Sequence, residues 1–176
     1  MPHDDLETRF KNWMGECTGV VLKVARAYTF TPDDCQDLVQ DILFQVWRTM
    51  PRFEGRSSAA TWVYRIALNT ALGWRRDERR RRTRQKLVTG IDIENVVAEK
   101  SENTRHVANL ELVERLYRAI QQLPKTDAAL VLLYLDELSY REMAEVLGIS
   151  ESNVGVKLNR AKKALSLLMR EVPHES

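Results

Sequence analysis

The sequence predicts an all-α protein made of two small helical domains. Apolar residues recur at alternating spacings of three and four along most of the chain, which is the period of a buried helix face. Capping residues stand at the start of several of these segments. No stretch looks like a β-hairpin, and the 176 residues include only seven glycines and five prolines.

The first predicted domain, residues 1–82, contains three helices. The first helix carries an apolar face of Leu6, Phe10, Trp13, Val21, Val24, Ala25 and Tyr28. The second begins at residues 31–34, Thr-Pro-Asp-Asp, where the threonine can cap, the proline fits the first helical position and the acids favour the positive dipole end. Its predicted buried face consists of Leu38, Val39, Ile42, Val46 and Trp47. The third is capped by Ser57 or Ser58 and ends in the arginine-rich run of residues 75–86.

Residues 83–108 show weak periodicity and a mixed polar character, and they predict a flexible linker. The second predicted domain covers residues 109–176. Its first helix shows one apolar face, formed by Leu110, Val113, Tyr117 and Ile120. Pro124 interrupts the chain, and an apolar helix follows over residues 126–135.

Residues 139–165 are the most informative stretch, and they predict two short helices joined by a tight turn. Ser139 and Glu142 can form a capping box, and Gly148 suits the left-handed position that ends a helix. Ser150 can cap the second helix. The residues expected to face inward are Ala144 and Leu147 in the first helix and Val154, Leu158, Ala161, Leu165 and Leu168 in the second. The pattern is typical of a helix-turn-helix, whose second helix enters the major groove of DNA, although an ordinary helical hairpin with a solvated basic face would share it.

Charge is segregated along the chain, although the formal net charge is only +2. Residues 75–86 carry eight basic and two acidic side chains, and residues 157–170 carry five basic side chains and no acidic one. The helix over residues 31–49 instead holds four aspartates. Such segregation indicates separate surfaces for a polyanion and for a protein partner.

Several classes of function are disfavoured. Cys17 and Cys35 are the only cysteines and no His/Cys cluster has zinc-ligand spacing, so we expect no metal and no cofactor. No phosphate-binding glycine loop or catalytic constellation is recognisable, so we expect no catalytic residue, no enzyme activity and no small-molecule substrate. Without a signal peptide or an apolar run of about twenty residues, the chain is expected to be cytoplasmic and not to insert into a membrane.

Aromatic and cationic side chains are interleaved around the third helix. Aromatic faces beside cations can hold single-stranded DNA, because stacking is worth about 1–3 kcal/mol per base, and asparagine can read base edges. Each aromatic residue taken singly is better explained as core, but the adjacent arginine run favours nucleic acid. The set consists of Phe53, Arg56, Trp62, Tyr64, Arg65, Asn69, Trp74, Arg75 and Arg76.

The second helix presents a mixed acidic and apolar surface. Such a surface can bind a basic partner helix and would repel DNA. An ordinary solvated helix face explains it equally well. Its residues are Asp37, Gln40, Asp41 and Phe44, beside Leu38 and Trp47.

Two blocks of the sequence resemble the extracytoplasmic-function (ECF) sigma factors of bacterial RNA polymerase. Their second conserved region resembles residues 37–81, DLVQDILFQVWRTMPRFEGRSSAATWVYRIALNTALGWRRDERRR. Their fourth resembles residues 123–165, LPKTDAALVLLYLDELSYREMAEVLGISESNVGVKLNRAKKAL. The resemblance implies a transcription initiation factor that binds core RNA polymerase, recognises the −10 and −35 promoter elements, and is controlled by an anti-sigma factor.

The resemblance also implies roles for individual residues. The coiled coil of the largest polymerase subunit would bind Asp37, Leu38, Gln40, Asp41, Phe44 and Trp47, and the polymerase flap region would be a further contact. The melted −10 strand would be captured by Phe53, Arg56, Ser57, Trp62, Tyr64, Arg65 and Asn69, with Arg75 and Arg76 on the upstream backbone. The −35 duplex would be read by Ser152, Asn153, Lys157 and Arg160, with Arg141 on a phosphate.

The recognition helix departs from the family's frequent Thr-Val-Lys-Ser-Arg run, because residues 153–157 read Asn-Val-Gly-Val-Lys. A glycine inside a helix costs about 1 kcal/mol relative to alanine, and Gly155 supplies no side chain to DNA. Close approach of the backbone to the duplex and simple tolerance both remain open as explanations.

Two other functions are compatible with the residues. A DNA-binding regulator of the response-regulator output type would act on duplex DNA without polymerase, and its second domain would suffice. A pure interaction protein would have no affinity for DNA. Deletion of residues 1–82 followed by a duplex-binding assay separates the regulator from the initiation factor.

Overall fold

The computed structural model describes residues 3–74 and 104–171, with side chains described over residues 6–74 and 109–170. The helices in these ranges are α1 (His3–Tyr28), α2 (Pro32–Thr49), α3 (Ala59–Gly73), α4 (Thr104–Gln122), α5 (Lys125–Leu135), α6 (Tyr140–Leu147) and α7 (Glu151–Glu171), with a short 3-10 turn at Met50–Arg52. No strand occurs in either range, which confirms the all-α prediction. None of the helices described is long and apolar enough to cross a bilayer.

The N-terminal lobe consists of α1, α2 and α3, which pack on one another. Thr31 caps α2 by accepting a hydrogen bond from the Asp34 amide at 3.1 Å, as predicted. Ser58 caps α3 by accepting from the Thr61 amide at 3.0 Å, which decides between the two candidate serines. The fully buried core of the lobe includes Cys17, Val21, Val24, Leu38, Ile42, Val46, Met50, Val63, Ala67 and Leu68.

The C-terminal lobe consists of α4 to α7, and α5 lies at its centre with an unbroken buried run from Asp127 to Leu133. The first described helix of this lobe begins at Thr104, inside the segment predicted as linker; residues 83–103 lie outside the described part. The predicted apolar face of α4 is wrong at its start. Leu110 is 55% exposed and Val113 is 37% exposed, whereas Ile120 is 1% exposed, because the contacts described for α4 lie from Glu114 onward.

The helix-turn-helix is confirmed in α6 and α7. Ser139 and Glu142 form the capping box, and Gly148 ends α6 at φ 66°, where a glycine has no steric penalty. Ala144 and Leu147 are only half-buried, and the fully buried positions of α6 are Met143 and Val146. In α7 the buried stripe consists of Val154, Leu158 and Ala161, while Leu165 and Leu168 are half-buried.

The two lobes pack directly on each other. Gln121 of α4 donates to the carbonyl oxygens of Arg26 at 2.9 Å and Thr29 at 2.6 Å, at the end of α1. The Tyr28 hydroxyl donates to the Lys125 carbonyl at 2.6 Å. Two ion pairs, Lys23–Asp136 and Arg26–Glu114, also cross this junction. One cluster of buried side chains therefore runs through both lobes.

Candidate nucleic-acid interface

Three aromatic rings from different elements form an aromatic cluster in the N-terminal lobe: Trp13 of α1, Phe53 of the loop and Trp62 of α3. Their ring centroids lie 4.9 Å apart for Trp13–Phe53, 5.5 Å for Trp13–Trp62 and 5.3 Å for Phe53–Trp62, with steep edge-to-face angles. The Arg9 guanidinium lies 4.9 Å from the Trp13 ring centroid. The structure thus joins two predicted stacking residues to a third ring.

Trp13 and Arg9 were not among the predicted site residues. The sequence offered one signal for them, since they lie four residues apart on one face of α1. Trp13 is 9% exposed, so it is a support for the cluster rather than a stacking surface. Phe53 and Trp62 are half-buried and keep part of their rings accessible. An unpaired base can therefore reach these two rings and no deeper member of the cluster.

Tyr64 lies in the core, at 3% exposure. Burial raises the pKa of its phenol, and the neighbouring Asp136 carboxylate of the C-terminal lobe raises it further. No base can stack on this ring while the two lobes remain packed. The predicted contact with the −10 strand is therefore not available to Tyr64 in this arrangement.

The polar residues predicted for the same strand lie closer to the surface. Arg56 is exposed and pairs with Glu54 at 2.5 Å, while Ser57 is half-buried. Arg65 is exposed but donates to the Glu145 carbonyl oxygen of α6 at 2.7 Å. Asn69 is exposed one turn further along α3. Arg75 and Arg76 lie outside the described residues.

The acidic and apolar surface of α2 is present, with one exception. Asp37, Gln40, Asp41 and Phe44 are half-buried along one side of the helix, and Trp47 continues that side. Trp47 packs edge-on against Phe10 at 5.3 Å, which fixes the ring at the rim of the core. Leu38 is fully buried at 0% exposure, so it supports the surface from below and does not contribute to it.

The predicted −35 residues divide into two groups. Ser152, Asn153 and Arg141 are exposed, and Lys157 is half-buried. Arg160 instead donates to both carboxylate oxygens of Asp127, at 2.9 and 3.3 Å. The Asp127 side chain is 4% exposed and the Arg160 side chain is 65% exposed. Arg160 therefore ties the recognition helix to α5 while part of its guanidinium faces solvent.

The outward face of α7 carries residues that the sequence analysis did not single out. Opposite the buried stripe lies an outward stripe of Ser152, Val156, Asn159 and Lys163, at spacings of four, three and four. All four side chains are exposed. The signal that would have found Val156 and Asn159 is their position opposite Val154, Leu158 and Ala161 on a helical wheel.

Neither a metal nor a reactive thiol is indicated by the described side chains. No group of three or more His, Cys, Asp or Glu residues among them could hold a metal ion. Cys17 is buried and Cys35 is half-buried, and burial raises the pKa of both thiols. A raised pKa lowers the fraction of reactive thiolate at neutral pH.

The chain matches two family models in the order expected from its two lobes. The model described as Sigma-70 region 2 matches residues 15–81, and the model described as Sigma-70, region 4 matches residues 113–165. The first match contains the aromatic cluster residues Phe53 and Trp62, and the second contains the helix-turn-helix.

Curated relatives share sequence with this chain, and solved structures share its fold. The chain is 32% identical to the ECF RNA polymerase sigma-E factor of Escherichia coli (strain K12) over 138 residues, which are 75% of this chain and 72% of that one. It is 29% identical to the RNA polymerase sigma factor YlaC of Bacillus subtilis (strain 168) over 173 residues, or 98% of this chain and 96% of that one. The fold resembles CnrH in complex with the cytosolic domain of CnrY, with TM-score 0.65, 22% identity and coverage of 95% and 91%. It also resembles RpoE of Bartonella quintana in complex with the anti-sigma factor NepR, with TM-score 0.63, 20% identity and coverage of 92% and 97%.

Proposed function

We propose that the chain, which belongs to the extracytoplasmic-function family of RNA polymerase sigma factors, directs core polymerase to promoters. These sigma factors are transcription initiation factors. The chain binds two promoter elements in different forms. The N-terminal lobe holds the −10 element as a single strand, and the C-terminal lobe reads the −35 element as a duplex. The observation that carries this proposal is α7, whose inner stripe is fully buried while its exposed positions include the basic residues Arg160, Lys162, Lys163 and Arg170. A helix held in this way can enter a major groove as a rigid unit.

In the N-terminal lobe, the accessible parts of Phe53 and Trp62 supply stacking, while Arg56 and Arg65 supply charge. Asn69 reads a base edge from α3. Tyr64 does not contact DNA; its buried side chain anchors α3 and thereby positions Trp62 and Arg65. The energy of binding the single strand drives melting of the DNA. The chain needs no active site of its own, because the polymerase performs the chemistry. This takes place in the cytoplasm.

Arg65 connects this function to the arrangement of the lobes. One nitrogen of its guanidinium donates to the Glu145 carbonyl in the packed state, which holds the side chain against α6 and leaves fewer N–H groups for a phosphate. We infer that the lobes part when promoter DNA and polymerase bind. An anti-sigma factor, the class of partner that the RpoE structure contains, would hold the lobes together and keep Arg65 away from DNA.

In vitro transcription tests the proposal directly. Purified chain and core polymerase are incubated with a library of duplex templates randomised around the start site, and transcript ends are mapped. We expect discrete starts that share two upstream elements. Core polymerase without the chain is the control, and unchanged start sites on adding the chain would contradict the proposal.

The polymerase surface has its own test. Asp41→Arg reverses a charge on the exposed side of α2 and should weaken association with core polymerase by at least about a hundredfold, because like charges across an interface cost several kcal/mol. Glu16→Arg is the matched control, since it makes the same charge reversal at an exposed position of α1, outside the proposed surface. Equal co-elution of both variants with polymerase would remove this surface from the proposal.

A further inference from the structure

The recognition helix α7 exposes an apolar side chain where polar ones are expected. Val156 is 74% exposed, in the middle of the outward stripe. Exposed single apolar residues are common on protein surfaces. This one lies within the first two turns of the helix, the part that meets base edges in a helix-turn-helix.

The rotation of α7 fixes the direction of Val156. Val154, Leu158 and Ala161 are 0%, 1% and 0% exposed, so they define the inward side. A residue two positions from Val154 lies about 200° around the helix, almost opposite that side. Ser152, Asn159 and Lys163 share this direction, so Val156 is flanked by polar groups along the stripe.

Gly155 and Tyr140 extend the apolar surface sideways. A Cβ atom built on Gly155 would lie 3.5 Å from Cε2 of Tyr140, which is ordinary contact. The Tyr140 ring therefore lies over the flank that Gly155 leaves open, and Tyr140 is itself 48% exposed. Together Tyr140, Gly155 and Val156 form an apolar patch with no polar side chain at position 155 to compete for a base edge.

Charge identifies the occupant of this patch as a nucleic acid. Residues 157–170 carry five basic side chains and no acidic one, and this segment follows the patch directly along the helix. A duplex supplies phosphates for such cations. In its major groove, thymine is the base that presents a methyl group, so an apolar side chain there distinguishes a T·A pair from the others.

We propose that Val156 is a specificity-determining residue that contacts the C5-methyl group of a thymine in the upstream duplex element. The proposal rests on the proposed function, since it assumes that α7 reads that element. It adds the identity of one base and the side chain that selects it. Asn153 and Ser152 then serve neighbouring positions by hydrogen bonding.

The experiment replaces each thymine of the upstream element by deoxyuridine, which lacks only the methyl group. The holoenzyme is assembled from the full chain and core polymerase on a promoter selected from the library, and binding is measured for each substituted duplex. We expect one position at which the loss of the methyl weakens binding about three- to fivefold, as burial of a single carbon predicts. Val156→Ala should weaken binding to the thymine duplex by a similar factor and lose most of the sensitivity to deoxyuridine at that position, because alanine keeps only one apolar side-chain carbon there.

Leu167→Ala is the matched control. Leu167 is 58% exposed on the same side of α7, three turns beyond Val156, so its truncation should leave methyl sensitivity unchanged. Methyl sensitivity that is undiminished in Val156→Ala overturns the proposal, as does a selected element without a thymine. If Val156→Ala instead weakens only polymerase association, the patch is a protein contact and the proposal is wrong. A wild-type holoenzyme that initiates normally but ignores every methyl refutes this inference alone, whereas a chain that never redirects polymerase refutes the proposed function as well.

Discussion

The two DNA-facing surfaces of this protein are built in opposite ways. In the N-terminal lobe, the predicted stacking residues Phe53 and Trp62 pack on Trp13, and Tyr64 is buried in the core. In the C-terminal lobe, most predicted contacts lie on the exposed side of α7, and the core-forming stripe lies on the other side. The first surface shares its side chains with the hydrophobic core, and the second does not.

This difference teaches which mutations can separate binding from folding. Truncation of a ring in the aromatic cluster removes buried apolar contacts as well as a stacking face. Truncation of an exposed polar side chain on α7 removes a DNA contact and little else. Loss of promoter activity is therefore ambiguous for the N-terminal lobe unless stability is measured in parallel.

The largest expected effect comes from Trp62→Ala. We expect it to lower the free energy of unfolding by about 2–3 kcal/mol, less than for a fully buried ring because Trp62 is half-buried. Urea denaturation followed by circular dichroism measures the change. Asn69→Ala, at an exposed position of the same helix, should change stability by less than about 0.5 kcal/mol. If Trp62→Ala were as stable as the wild type, the Trp62 ring would not contribute to the core, and the proposed difference between the two surfaces would be wrong.

The next effect concerns Arg160, the predicted DNA contact on α7 that also pairs with a buried side chain. Arg160→Ala leaves the buried Asp127 carboxylate without its guanidinium partner, and we expect a loss of about 1–2 kcal/mol, since water reaches the exposed side of the pair. Lys157→Ala should leave stability unchanged and weaken upstream duplex binding about three- to tenfold. If Arg160→Ala and Lys157→Ala had equal denaturation midpoints and lost duplex binding equally, Arg160 would act only as a phosphate contact.

A smaller effect of opposite sign is expected at Gly155. Gly155→Ala should stabilise the protein by up to about 1 kcal/mol, because alanine is more favourable than glycine inside a helix. The added Cβ fits, since it meets only the Tyr140 ring at contact distance. Thermal melting measures the gain. A lower melting temperature would mean that α7 tolerates no side chain at this position even without DNA.

The smallest effect concerns the capping box of α6. Hydrogen bonds from Ser139 lower the pKa of the Glu142 carboxyl below its ordinary value of 4.5. A carboxyl whose pKa is lowered by folding stabilises the protein above its ordinary pKa, and the stabilisation is lost as the pH falls through the lowered value. The difference in melting temperature between wild type and Ser139→Ala should therefore be constant near neutral pH and shrink below about pH 4.5. An equal difference at pH 7 and pH 3 would contradict the ionic part of the cap.

Tertiary partners distant in sequence explain where the sequence-based predictions fell short. Leu110 and Val113 lie on the predicted apolar face of α4, yet nothing described packs over that end of the helix. Arg65 is bonded to a carbonyl that is 80 residues away, and Arg160 to a carboxylate 33 residues away. No local pattern specifies such pairs, because they depend on how whole helices are placed.

The sequence alone determined the features that depend on a few neighbouring residues. Thr31 and Ser139 cap their helices, and Gly148 takes the left-handed conformation that ends α6, because each makes its hydrogen bond or turn within one helical turn. The 3.6-residue period likewise determined the buried stripe of α7. Only the tertiary structure decided which aromatic rings join the core, which arginines are already paired, and that Val156 points outward beside Tyr140. Those outcomes depend on contacts between segments whose approach is set by the packing of the whole fold.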